Sequence, residues 1–320
     1  MKAPKLKPLL EERMKKLLSI KKDFNRFLEI IKQEPQNSIR CNTLKIDPEN
    51  LRLRLNKRGW IVEQPFREYP EVMIVKNELL PGELGRSIEH LLGYYYVQEI
   101  ASILPAIVLN PKSGERILDL AASPGSKTTQ ISALMRNKGT IIANEVNLGR
   151  IKILASNLER CGVSNVIITK KEGAALCKKL KEKGFLFDRI LLDAPCSGEG
   201  TLRSNFKTAL MWNINMVRKM AGIQKNLLQS SIEILKKGGV LVYSTCTHAP
   251  EENEEVLDFA LRKFKGIIEI EKINLPLKFR PGITSWNNKN YDKSIEKCCR
   301  IYPHENNTEG FFIAKLKKIR

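Results

Sequence analysis

The sequence predicts an α/β protein: a doubly wound parallel sheet with helices on both faces, preceded by a smaller α+β module. Three observations carry this expectation. From Arg116 onward, short apolar runs alternate with helical stretches, the pattern of a parallel sheet whose strands are joined by crossover helices. Upstream of about residue 90 that alternation is absent and the elements are shorter. The chain has 320 residues, 42% hydrophobic and 28% charged, which is a core-forming composition and enough length for one large or two modest domains. The expected division is 1–98 and 99–320.

In chain order, residues 9–34 read as one basic amphipathic helix, with Leu10, Met14, Leu17, Leu18, Phe24, Phe27, Leu28 and Ile31 at roughly helical spacing. A short strand around Ile39–Leu44 follows. Asp47-Pro48 opens a helix, as an N-cap followed by proline at the first helical position. Strands are expected at Trp60–Val62 and Val72–Val75. The aromatic run Tyr94-Tyr95-Tyr96-Val97 leads into an apolar helix, Ile100–Leu109. The parallel strands are then Ile117–Leu120, Thr140–Ala143, Val166–Thr169, Ile190–Leu192 and Val240–Ser244. The helices between them are Lys127–Met135, Leu148–Arg160, Ala174–Lys183 and Ile223–Lys236. Phe311–Leu316 reads as an antiparallel edge strand, and Asn287–Asn290 as loop.

Charge narrows the partner. Lys and Arg number 55 against 35 Asp and Glu, a net charge of +20. Such a surface attracts phosphates and releases their counterions, so a polyanion is the expected partner. No apolar run reaches about 18 residues, and no cationic helix with a separate aromatic face stands out, so no membrane role is expected. The N-terminus (Met1, Lys2, Lys5, Lys7) has no apolar stretch behind it that would mark a secretory signal. The seven cysteines are odd in number in a long chain, which points to reduced thiols and the cytoplasm. With no CxxC and three histidines, no metal site is expected. A monomer is expected.

Four segments carry chemistry. Asp119-Leu120-Ala121-Ala122-Ser123-Pro124-Gly125-Ser126-Lys127-Thr128 ends the first parallel strand and opens a helix. Small residues there let a ligand approach the backbone, and a helix N-terminus offers free N–H groups. The segment misses the phosphate-binding loop at Ala121 and Ser126, and lacks GxGxxG. Glu145 ends the next strand, where an acid can accept both hydroxyls of a ribose; the plainer role is a cap on the helix that begins near Leu148. Asp193-Ala194-Pro195-Cys196-Ser197-Gly198-Glu199-Gly200 ends the fourth strand, and Tyr243-Ser244-Thr245-Cys246-Thr247 the fifth. Adjacent strand ends would bring Cys196, Cys246 and Asp193 to one crevice. A redox disulfide is the alternative use of two such thiols.

With these motifs the sequence resembles the NOL/NOP/Sun (RsmB-like) family of RNA cytosine-5 methyltransferases over roughly residues 38–316. DLAASPGSKTTQ, DAPCSGEG and YSTCT occur in that order. Ile39-Arg40-Cys41-Asn42-Thr43-Leu44 and the tail Arg300–His304 with Gly310–Ala314 also match. The resemblance implies a Rossmann-like domain that uses S-adenosylmethionine, behind an RNA-binding N-terminal module. It implies that Ala121, Ala122, Ser123, Pro124, Gly125, Ser126 and Lys127 form the donor loop. Glu145 would be the ribose acid, Arg150 a further donor contact, and Glu172 (where the family usually has Asp) the adenine contact. Cys246 would be the nucleophile on carbon 6 of cytosine. Asp193, protonated or sharing a proton, would contact ring nitrogen 3, and Cys196 would serve release. Lys127 would help position the base or tune a thiol. The compact chain looks most like archaeal tRNA enzymes, so tRNA is the expected substrate and rRNA the alternative. A P-loop-like nucleotide hydrolase using Lys127-Thr128 and Asp193 is a second reading, which leaves both cysteines without a role; a catalytically silent RNA-binding protein with a methyltransferase fold is a third, against which both cysteines count. Cys298-Cys299 are expected to be packing residues, His248 a loop residue, and Tyr94–Tyr96 either a stacking platform or an interface.

Overall fold

A computed structural model describes residues 6–320; Met1–Lys5, part of the basic N-terminus, lie outside the described residues. The expected single helix over 9–34 is two: α1 (Pro8–Leu17) and α2 (Lys21–Ile30), broken at Leu18–Ile20. A straight helix of that span would run roughly 39 Å. Folding back lets both apolar stripes reach one cluster, in which Leu10, Met14 and Phe27 pack with Leu202, Trp212 and Tyr302. Both helices therefore rest on the larger part of the chain. Lys7 donates to the Trp212 carbonyl, and Arg13 pairs with Glu251 at 2.6 Å.

The N-terminal module is a four-stranded antiparallel sheet in the order β2–β3–β1–β4. The strands are β1 (Asn37–Cys41), β2 (Val62–Glu63), β3 (Val72–Val75) and β4 (Tyr95–Val97). Helix α3 (Pro48–Lys57) packs on it through Leu51 and Leu55. Asp47 caps that helix, accepting from the N–H groups of Glu49 and Asn50, an arrangement worth about 1 kcal/mol. Two one-turn helices, α4 (Glu83–Arg86) and α5 (Ile88–Leu91), lead into β4. Tyr95 is buried in the core of the module, its hydroxyl donating to the Leu84 carbonyl, whereas Tyr96 faces the larger domain, its hydroxyl donating to the Pro124 carbonyl at 3.3 Å.

Helix α6 (Ile100–Leu109) enters the second sheet, of nine strands. Its parallel core is β5 (Arg116–Asp119), β6 (Thr140–Asn144), β7 (Val166–Thr169), β8 (Phe187–Asp193) and β9 (Leu235–Thr245), ordered β9–β8–β5–β6–β7. Helices α7 (Ser126–Leu134), α8 (Leu148–Arg160), α9 (Gly173–Glu182) and α11 (Ile214–Glu233) make the crossovers, with the short α10 (Phe206–Met211) ahead of the last. Helix α11 starts nine residues before the expected Ile223: Asn213 caps it by accepting from the Met216 N–H, and Gly222 lies inside it. Leu235, expected in that helix, instead begins β9 opposite Phe187.

After α12 (Glu254–Lys263), the chain adds β10 (Ile268–Glu271), β11 (Arg280–Pro281), β12 (Ser285–Trp286), β13 (Lys289–Asn290), β14 (Cys299–Ile301), α13 (Pro303–Asn306) and β15 (Phe311–Lys318). β15 is antiparallel to β9, as expected, but is no edge. β14 and β10 pair along its other side, which is why Phe312 and Ala314 are fully buried. The expected loop Asn287–Asn290 is the tip of the β12–β13 hairpin, where Asn287 (φ 46°) and Asn288 (φ 63°) take the left-handed conformation that a two-residue turn needs. A buried ion pair ties β14 to α12: Arg300 meets both Glu254 oxygens at 2.6 Å. Cys298 and Cys299 are buried packing residues. Among the described residues no helix is long and apolar enough to cross a membrane.

The direction of strand addition reverses between β5 and β8. In an open α/β sheet the crevice at such a reversal, beyond the carboxyl ends of the strands, is where ligands bind. Here it is bounded by the segments after Asp119 and Asp193.

Candidate active site

The segment Leu120–Gly125 is bent tightly over the crevice. Ala122 N–H bonds the Asn144 carbonyl, Gly125 N–H bonds the Ala122 carbonyl, and the Ser123–Pro124 peptide is cis. Gly125 caps α7 at φ 102°; a Cβ there would press on Leu154, so glycine is required on both counts. Asp119 at the strand end accepts from Thr128 Oγ1 at 2.6 Å, while its Oδ1 is buried without a partner. Burial pushes this carboxyl up to about 6. Arg150 locks the loop from α8, donating to the Ser123 carbonyl at 2.7 Å and pairing with Glu145 at 3.2 Å.

Glu145 does not cap α8; Asn147 does, by accepting from the Arg150 N–H. Glu145 is buried beside the loop, accepting from the Asn147 N–H at 2.9 Å. Glu172, expected as the adenine contact, also caps α9: its two oxygens accept from the Ala174 and Ala175 N–H groups. The longer side chain folds back onto its own helix.

Loops after β8 and β9 bring the remaining residues together. The sulfurs of Cys196 and Cys246 lie 3.1 Å apart, and all seven cysteines are free thiols. The hydrogen bond to Cys246, then burial, hold the Cys196 thiol well above the usual range, so Cys196 stays protonated. Asp193 is in an ion pair with Lys127 at 2.7 Å and accepts from Ser244 Oγ at 2.7 Å. Lys127 also donates to Ser102 Oγ at 2.9 Å. Cys246, Asp193, Lys127, Pro124 and Ser126 all line one cavity of about 470 Å³, whose opposite wall is β1 and β4 of the N-terminal module. Cys196 lies behind Cys246, outside that lining.

The reading of the sequence missed several residues that build this site. Arg40, buried on β1, donates to Gln98, to the Ser126 carbonyl at 2.7 Å and to Thr129, bolting the module onto α7. Glu252 sits beneath both cysteine loops, accepting from the Ser197 N–H at 3.0 Å and from Gln224. His248, expected in an ordinary loop, is buried and stacked on Tyr302 at 4.9 Å. The signal for Glu252 was its position six residues past Cys246; Arg40 stood in the matching segment Ile39–Leu44, but nothing local pointed to its contact with α7.

These buried acids make stability depend on pH. Burial pushes Glu252 and Glu309 up to about 7, against an ordinary value of 4.5. Their folded pKa values exceed the unfolded ones, so their stabilising contribution is complete below about 4.5 and is lost as pH rises through about 7. Burial drives His248 the other way, down to about 3, so its destabilising effect grows as pH falls through 6.5 towards 3. Between pH 6.5 and 8 the two carboxyls outweigh His248, whose remaining contribution has the opposite sign. The unfolding free energy from urea titration is expected to be about 1 kcal/mol lower at pH 8 than at 6.5. Glu252→Gln should roughly halve that difference, because Glu309 remains; an unchanged difference would assign it elsewhere.

The residues fit an adenosyl donor. Small side chains and a helix N-terminus face the crevice, a buried acid stands at the end of β6, and Asp119 Oδ1 is an unpaired acceptor under the loop. Among the described residues no cluster is arranged to hold a metal ion.

Comparison with known proteins agrees with this geometry. The model of the 16S rRNA methyltransferase RsmB/F family matches residues 106–317, and that of the N-terminal domain of 16S rRNA methyltransferase RsmF matches residues 6–100. A tRNA (cytosine(49)-C(5))-methyltransferase of Pyrococcus abyssi is 41% identical over 99% of this chain and 97% of its own length. Ribosomal RNA small subunit methyltransferase F of Vibrio parahaemolyticus is 37% identical over 96% of the chain, which spans 62% of that relative's length. The crystal structure of NSun6 from Pyrococcus horikoshii with SFG, an analogue of S-adenosylmethionine, superposes with a TM-score of 0.83 at 27% identity, covering 98% of both chains.

Proposed function

The chain belongs to the RsmB/F family of S-adenosylmethionine-dependent RNA cytosine-5 methyltransferases, and from that premise we propose that it methylates a tRNA cytosine through a covalent bond between Cys246 and carbon 6 of the base. The observation that carries this reading is the cavity in which Cys246, backed by Cys196 at 3.1 Å, meets the Asp193–Lys127 pair and the 121–127 loop.

Carbon 5 of cytosine is a weak nucleophile. Addition of the Cys246 thiolate to carbon 6 makes it enamine-like. S-adenosylmethionine, when bound, supplies the electrophilic methyl group. Ala121–Lys127, Glu145 and Arg150 are the residues to hold that donor. Asp193, with Lys127 beside it, holds ring nitrogen 3 and shares the proton that balances the charge of addition. After methylation, the carbon-5 proton passes to solvent water admitted to the open cavity, the carbon 5–carbon 6 double bond re-forms, and the carbon 6–sulfur bond breaks to release Cys246 as the thiolate. Cys196, the proton-bearing thiol, stabilises the departing thiolate by hydrogen bonding. The base must leave its stack to enter the cavity, so an exposed or flipped nucleotide is the target.

The Pyrococcus relative, matched along nearly its whole length, favours tRNA; the family models and the Vibrio relative support rRNA as the second reading. Bisulfite sequencing after incubation with S-adenosylmethionine and either unmodified tRNA transcripts or unmodified 16S rRNA separates them. Conversion-resistant cytosine is expected in tRNA, with position 49 the first to read. Resistance confined to rRNA overturns the tRNA assignment. S-adenosylhomocysteine should raise the melting temperature, by the equivalent of about 2.7 kcal/mol at a hundredfold excess over its Kd, and ATP with magnesium should not. The opposite pattern would restore the nucleotide-hydrolase reading.

A further inference from the structure

The cavity that holds Cys246 is lined by three carboxylates, although the chain as a whole is strongly basic: Asp193, Glu99 and Glu309, with Lys127 as the ammonium among them. Such a lining repels phosphate and suits a base that presents hydrogen-bond donors. The three acids are not equally available. Asp193 uses one oxygen on Lys127 and the other on Ser244. Glu99 uses one on the Glu309 N–H and the other on the Ser102 N–H, as the cap of α6. Glu309 uses Oε1 on the Ser204 N–H at 3.0 Å; its Oε2 has no partner, on a residue only 5% exposed. A buried acceptor left unpaired costs on the order of 1–3 kcal/mol. The oxygen is covered in this structure, and a turn of the Glu309 side chain, which lines the cavity, would bring it to a donor there.

The placement is fixed by the sheet. Phe312 pairs with Thr245 across the β15–β9 ladder, which sets the start of β15 beside Cys246. Gly310 N–H bonds the Gly200 carbonyl, and Gly200 N–H bonds the Cys246 carbonyl, so Glu309 is tied to the nucleophile loop through two peptide hydrogen bonds. No Cβ fits at Gly200 or Gly310, where backbone meets backbone, and this keeps the two segments in contact.

We propose that Glu309 is a specificity residue, accepting a hydrogen bond from the exocyclic amino group of the target cytosine. A carboxylate accepting from that amino group is the expected chemistry for telling cytosine from uracil, whose oxygen at the same place would face the carboxylate unfavourably. The inference rests on the methyltransferase reading above, and deepens it.

The test uses the full chain and a tRNA transcript in which the target cytidine is kept or replaced by pyrimidin-2-one ribonucleoside, which lacks only the amino group. Wild-type transfer to the cytidine RNA tests the premise; without it the premise falls and this inference with it. Given transfer, the wild type should prefer cytidine over pyrimidin-2-one in kcat/KM by roughly tenfold to a hundredfold. Glu309→Ala should lower transfer to cytidine but not to pyrimidin-2-one, so that the preference shrinks to within about twofold. Glu309→Gln, which keeps an acceptor, should restore part of it. Unchanged stabilisation of both variants by S-adenosylhomocysteine shows that they fold. If Glu309→Ala lowers both substrates equally and keeps the wild-type preference, Glu309 is structural and the proposal is overturned.

Discussion

Cys246→Ala is expected to abolish methyl transfer, lowering the single-turnover rate by roughly 10⁴-fold or more, while thermal stabilisation by S-adenosylhomocysteine stays close to wild type. The separation follows from the placement of the side chain. Cys246 lines the cavity facing Asp193 and Lys127, whereas the loop expected to hold the donor is fixed by Arg150, Asn144 and Thr128, none of which touches the thiol. Alanine keeps the backbone bond from the Gly200 N–H to the carbonyl of residue 246 and removes only the partly buried sulfur at the margin of the core. Residual transfer within about tenfold of wild type would remove Cys246 as the nucleophile.

Cys196→Ala has a different expected result: a protein–RNA adduct that survives denaturing electrophoresis, accumulating in the presence of S-adenosylmethionine, with multiple turnover lowered by at least about a hundredfold. In the wild type the Cys196 thiol lies 3.1 Å from the Cys246 sulfur and retains its proton. Removing it leaves the departing Cys246 thiolate with no thiol donor, so expulsion slows while addition still proceeds. The double variant should show no adduct. An adduct formed by Cys246→Ala and absent from Cys196→Ala would exchange the two roles.

The parallel core was legible because each strand and crossover helix is a local pattern. Val166–Thr169, Leu148–Arg160 and Ile100–Leu109 have the expected boundaries. Expectations failed where one periodicity had two ways to be buried. The break at Leu18–Ile20 turns one apparent helix into a hairpin because Met14 and Phe27 share a cluster with Trp212, far away in sequence. Glu172 shows a related limit at a single residue. Its place after β7 fits a ligand contact, and its position did not show that two free N–H groups of α9 also lie within reach of the carboxylate.

By itself the sequence determined the motifs and their order on the strands, hence which loops would meet at the β5–β8 reversal and that two cysteines and an acid would share it. Only the tertiary structure decided which partner each group takes: Lys127 on Asp193, Arg40 on the α7 terminus, Glu252 under both cysteine loops, and Glu309 left with a free oxygen beside the nucleophile. The physical reason is that periodicity reports local burial along one element. The protonation and availability of a buried polar group depend on which distant donors and acceptors the packing places within about 3 Å of it.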